Sequence, residues 1–167
     1  MRILVFLGGT TLIDRNLVAP TREEMVKRSI DRDSYGGLSG EVIPIASAVS
    51  KLMRWKEHGA ELVYFSATRK FENLEKTKRV LKKFGFPEGK LLFRGPTRNY
   101  AEVAEEIEPD VIIEDDCESI GGEKEMIFPN ISPQSKSRIV SVVVKEFAGI
   151  DHLPDDPREF FQPSRGS

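Results

Sequence analysis

From Pro109 to Gly122 the chain reads Pro-Asp-Val-Ile-Ile-Glu-Asp-Asp-Cys-Glu-Ser-Ile-Gly-Gly, and few folds accept such a segment. A short β-branched apolar run has the length and chemistry of a strand covered on both faces, as in a parallel sheet. Polar residues crowded at its carboxyl end stand where an open α/β sheet presents a ligand site. The segment therefore predicts a buried strand that delivers Glu114, Asp115 and Asp116 to one point.

The amino-terminal run Arg2-Ile3-Leu4-Val5-Phe6-Leu7 has the same character and reads as the central strand. It stops at Gly8-Gly9-Thr10-Thr11, where small residues let a ligand approach the backbone. Helical periodicity follows over 45–58 (Ile45, Ala48, Val49, Leu52, Met53), over 70–84 (Phe71, Leu74, Leu81, Phe84) and from Asn99 onward (Tyr100, Val103, Ala104, Ile107). Strands are expected at 61–66, 90–94, 111–114 and 138–144. This alternation predicts an α/β fold, a doubly wound and mainly parallel five-stranded sheet with right-handed crossovers, in a single domain over 1–167. The looser stretch 12–44 carries a Thr21-x-x-Glu24 helix start and a loop-like 31–40, as expected of a small cap or lid inserted in that domain. In the tail, 155–161 is expected to form one last short helix packed by Phe160 and Phe161.

The charge balance narrows the partners. A formal charge of −2 with 31% charged residues argues against a general nucleic-acid or anionic-membrane surface, leaving room for a local basic patch. The lone cysteine, Cys117, excludes an internal disulfide and a multi-cysteine zinc site. No apolar run approaches the ~20 residues of a membrane span, and the first apolar run is too short for a signal peptide. The expectation is a cytoplasmic protein with a small-molecule partner.

Three strand ends are expected to converge: Gly8 to Thr11, Ser66 to Arg69, and Glu114 to Ser119. Adjacent carboxylates repel by about 4 kcal/mol at an effective dielectric of ~20, so a cation or basic partner is expected beside Asp115 and Asp116. Oxygen ligands of this kind suit Mg²⁺. The alternative is that both cap the following turn and face solvent. Gly8, Gly9, Thr10, Ser66, Arg69 and Arg98 are the candidates for gripping an anion, while Ser66 and Arg98 read equally as a strand-end hydroxyl and a loop cation. Ser119-Ile120-Gly121-Gly122 is compatible with an amide-lined anion pocket or with a structural turn. Cys117 lies between acidic neighbours that suppress its thiolate, so it is no nucleophile. Trp55 is expected in the core or under the lid.

The order of these pieces, a first strand ending in Gly-Thr, then Tyr64-Phe65-Ser66-Ala67-Thr68-Arg69, then Ile113-Glu114-Asp115-Asp116, resembles the haloacid dehalogenase (HAD) superfamily over about residues 2–145. The resemblance implies a HAD-like Rossmannoid fold with a cap after the first motif. It implies that Ser66 holds a phosphoryl group, that Asp115 and Asp116 bind Mg²⁺, and that Arg98, or else Arg94 or Lys90, supplies the basic residue. The first motif departs from the pattern. Where the family has Asp-x-Asp-Gly-Thr, this chain has Leu7-Gly8-Gly9-Thr10-Thr11, so the aspartyl-phosphate route is closed. Asp14 either folds back toward the gap or serves as a turn residue. Two functions follow: a hydrolase of small phosphorylated substrates that uses metal-activated water, or a non-catalytic module that senses a ligand or binds a protein.

Overall fold

The computed structural model describes residues 1–32 and 40–163. Its strands are β1 (Arg2–Phe6), β2 (Leu12–Asp14), β3 (Val42–Pro44), β4 (Glu61–Ser66), β5 (Lys90–Phe93), β6 (Val111–Asp115) and β7 (Val140–Val144). Its helices are α1 (Arg22–Asp31), α2 (Ala48–Glu57), α3 (Phe71–Lys83), α4 (Tyr100–Ile107) and α5 (Pro133–Lys136). Five strands form one all-parallel sheet in the order β5-β4-β1-β6-β7. The fold is thus a doubly wound α/β sheet, with β1 at its centre.

The sheet buries both faces, which is why its strands read as unbroken apolar runs. Ile3, Val5, Leu62, Tyr64 and Ile113 pack with Leu52 and Trp55 of α2 on one side. Leu4, Phe6, Val63, Phe65 and Ile112 pack with Val103 and Ala104 of α4 on the other. From β1 the chain builds outward through β4 to β5, then crosses back to β6 and β7. The strand order therefore reverses at β1, and a crevice opens there at the carboxyl ends of the strands. The pairing Phe6 to Phe65 and Val5 to Ile113 brings the ends of β4 and β6 to either side of Gly8.

The inserted stretch has more order than its sequence promises. β2 and β3 pair antiparallel, with Ile13 opposite Ile43, and so close the base of the insertion. Asp14 fastens that base: its buried carboxylate meets Arg32 at 2.8 Å and accepts the backbone N–H of Asn16 and Gly40. Burial alone would raise its pKa, but Arg32 and the two amides outweigh that and hold it below the ordinary value. Asp14 is thereby spent on structure and does not fill the gap in the first motif. α1 starts at Thr21, whose hydroxyl accepts the N–H of Glu24. Most of the loop expected over 31–40 lies outside the described residues.

Helix registers differ from expectation at two points. On α2 the buried positions are Ala48, Lys51, Leu52 and Trp55, while Met53 is exposed. Lys51 can be buried because its ammonium reaches the carbonyl of Leu153 (2.6 Å) and the carboxylate of Asp155. On α3 the first stripe residue, Phe71, is 65% exposed and its ring meets Phe93 edge-on. Trp55 is fully buried; its indole N–H donates to the carbonyl of Pro154 at 2.8 Å, and its ring meets Phe160 in an edge-on pair. The expected terminal helix is a 3₁₀ turn over Pro157–Phe161, and only Phe160 of its two phenylalanines packs on the core. Among the described residues no helix is long and apolar enough to cross a membrane.

Candidate functional site

The site grows from the turn after β1. Leu7 stays in the core, 1% exposed, and its carbonyl accepts the N–H groups of Thr10, Thr11 and Leu12. Three amides on one oxygen demand a tight reversal. Gly9 takes φ +85° to make it, and its bare Cα faces Asp115 so closely that a Cβ would lie 2.8 Å from Oδ2.

Asp115 ends β6 beside that turn and is 2% exposed. Thr10 Oγ1 donates to Asp115 Oδ2 (2.8 Å) and accepts the Asp115 N–H (3.0 Å), a double role to which a hydroxyl is suited. The Cys117 N–H donates to Oδ1 at 2.9 Å. Burial pushes the Asp115 carboxyl above its ordinary pKa, opposed by these hydrogen bonds. Gly9, Thr10 and Asp115 are therefore in direct contact. Gly8 stands at the start of the same turn, where it bridges to Leu12.

Asp116 follows and is partly exposed. Its Oδ1 accepts the backbone N–H of Glu118 (3.3 Å) and Glu146 (3.2 Å), and Lys145 Nζ lies 3.5 Å from Oδ2. A third carboxylate, absent from the sequence expectations, comes from the turn after β7. Glu146 is 5% exposed and binds Ser119 twice, Oε2 to its N–H and Oε1 to its hydroxyl, both at 2.7 Å. Burial raises its pKa too. The signal was present as Val142-Val143-Val144-Lys145-Glu146, an acid just past a second parallel strand. Asp115, Asp116 and Glu146 each bring one oxygen to within 4.8 Å of the others.

This donor set suits a hard divalent cation. All three ligand atoms are carboxylate oxygens, and one accepted hydrogen bond leaves a carboxylate oxygen a lone pair for metal. A cation would also reverse the burial cost that raises the Asp115 and Glu146 pKa values.

Other expectations are revised by the strand's alternation. Glu114 does not join Asp115, because successive side chains leave a strand on opposite faces, while Asp116 lies just past the end of β6. Glu114 turns away and accepts the N–H groups of Ile127 (2.6 Å) and Phe128 (2.9 Å), while burial pushes its pKa up to about 7. In the turn from Ser119 only Ser119 meets an anion, the chain's own Glu146, while the N–H groups of Ile120, Gly121 and Gly122 all donate to the Cys117 carbonyl, as in a structural turn. Cys117 sits at φ +52° with its thiol buried, and burial, then Asp115 and Glu114, push its pKa far up. Ser66 is buried at the end of β4, and its Oγ accepts the Thr68 N–H at 3.4 Å. Arg69 is exposed beside it.

The arginines divide differently from expectation. Arg98 is tied to Glu106 of α4 at the surface. Arg94, just past β5, instead lays its guanidinium over the ring of Tyr100 at 4.7 Å, and its buried Nε has no hydrogen-bond partner among the described residues. Tyr100 meets Phe6 and Phe65 edge-on at the ends of β1 and β4. Burial raises the pKa of its phenol, Arg94 opposes that, and Cys117 and Glu125 add to it. α1 reaches the site as well: Arg22 pairs with Glu118 at 2.7 Å, and the hydroxyls of Ser29 and Ser119 are 2.8 Å apart.

Comparison with protein-family models, with curated proteins and with solved structures returns no match, so fold and site rest on the chain's own geometry.

Proposed function

We propose that this protein binds a small phosphorylated or otherwise anionic molecule together with a divalent cation, as a divergent HAD-like module without the aspartyl-phosphate route. The observation that carries this reading is the meeting of Asp115, Asp116 and Glu146 at the sheet's switch point. Those three residues would hold the cation, Mg²⁺ being the ion the oxygen donors suit, and the cation would attract an anion to the same hollow. Arg94 is the cation best prepared to take the other side of the ligand. Tyr100 orients its planar guanidinium, so little side-chain freedom is lost when it grips two oxygens. Leu7, buried in the core, and Gly9, against Asp115, put no carboxylate in the turn after β1 to attack phosphorus.

The test is thermal unfolding with inorganic phosphate, with and without Mg²⁺. Phosphate should raise Tm when Mg²⁺ is present and do little without it, and Arg94→Met should abolish the increment while keeping the response to Mg²⁺. Phosphate esters offered with Mg²⁺ should form no phosphoprotein. A phosphate response independent of Mg²⁺ and of Arg94 would overturn the proposal.

A further inference from the structure

Among the described residues β7 is an edge strand with no neighbour beyond it. The Val140 N–H donates to Asp110 and the Val144 carbonyl accepts from Asp116, so the backbone groups of 140, 142 and 144 face β6. By strand alternation those of Ser141, Val143 and Lys145 face outward. These three residues also line an open hollow of about 690 Å³. Its apolar part is Met126, Phe128, Pro129 and Val143, the last 50% exposed. Its charged part is Asp116, Glu118, Glu123 and Lys145; Lys145 pairs with Asp116 and Arg22 with Glu118, which leaves Glu123 as the acid without an ionic partner among the described residues.

Natural edges are usually blunted by proline, inward charge or a covering element, because unpaired backbone groups invite another strand. Here the outward edge carries Ser141, Val143 and Lys145, the lysine drawn toward Asp116 at 3.5 Å, with a groove beside it. We propose that this groove takes an extended, basic segment of a partner protein, which adds a strand to β7 and sets alternate side chains in the hollow. Main-chain hydrogen bonds to Ser141 and Val143 would give attachment. An apolar side chain would rest on Met126 and Phe128, and a lysine or arginine would meet Glu123, which has no ionic partner among the described residues. A second copy of this chain is the poorer occupant, since its own edge arrives with the same acidic rim.

A fluorescein-labelled octapeptide of alternating lysine and valine serves as the probe, read by anisotropy and by amide chemical shifts. Saturable binding is expected, with shifts centred on Ser141 and Val143. A peptide with glutamate in place of lysine, and the lysine peptide N-methylated at its central amides, should each bind at least about tenfold more weakly. Val143→Pro, which removes an outward N–H, and Glu123→Lys should weaken the lysine peptide likewise. If Val143→Pro lowers Tm, the N-methylated peptide carries the backbone test by itself. Equal binding of the glutamate or N-methylated peptide, no saturable binding, or a dimer that Glu123→Lys leaves intact and the peptide cannot dissolve would each overturn the proposal.

Discussion

At the scale of single residues the site is a balance between burial and hydrogen bonding. Asp115 is kept in a dry position by Thr10 and the Cys117 amide, so Thr10→Val should leave a buried carboxylate and a buried N–H underserved. A loss of about 3 kcal/mol in denaturant-derived stability is expected, against less than about 1 for the isosteric Thr11→Val, whose hydroxyl bonds are long. Glu114 gives a pH signature. Its pKa rises from an ordinary 4.5 to about 7 on folding, so between those values the folded chain holds more protons than the unfolded one. Stability linked to Glu114 is full below pH 4.5 and is lost as pH rises toward 7. In metal-free buffer Glu114→Gln should flatten that decline, which for this group amounts to on the order of 3 kcal/mol. Unchanged slopes in urea titrations across pH 4 to 8 would refute it.

At the scale of elements, the carboxyl-terminal segment acts as a strap over α2. Pro154 takes the Trp55 indole N–H, Asp155 takes Lys51 and Arg54, and Phe160 covers the ring. Phe160→Ala should cost about 2 kcal/mol and shift the emission of the only tryptophan to the red, whereas the exposed Phe161→Ala should do neither. Strands and helices were legible in the sequence because periodicity and caps are local: Asn99 makes the full capping box its sequence announces. The antiparallel pair β2–β3 was not, since its three-residue strands are held by Asp14, Arg32 and Gly40, partners far apart in sequence. The burial of Lys51 was hidden for the same reason, its partners lying about 100 residues downstream.

At the scale of the whole molecule, the sheet's order decides which chemistry can meet. Placing β1 between β4 and β6 brings Gly9, Thr10 and Asp115 together, as the two glycine- and acid-rich strand ends suggested. Glu146 was missed because its relevance depends on β7 lying beside β6, and the placement of Arg94 because it depends on a ring, Tyr100, from the next helix. The account stands on Asp115, Asp116 and Glu146 sharing a divalent ion, and calorimetric titration of the EDTA-stripped protein with Mg²⁺ tests that most directly. One site per chain is expected, with a stabilisation near 2.7 kcal/mol at about 100 times the dissociation constant, and at least about tenfold weaker binding for Glu146→Gln. A titration with no saturable heat at millimolar Mg²⁺, or one that Glu146→Gln leaves unchanged, would contradict it.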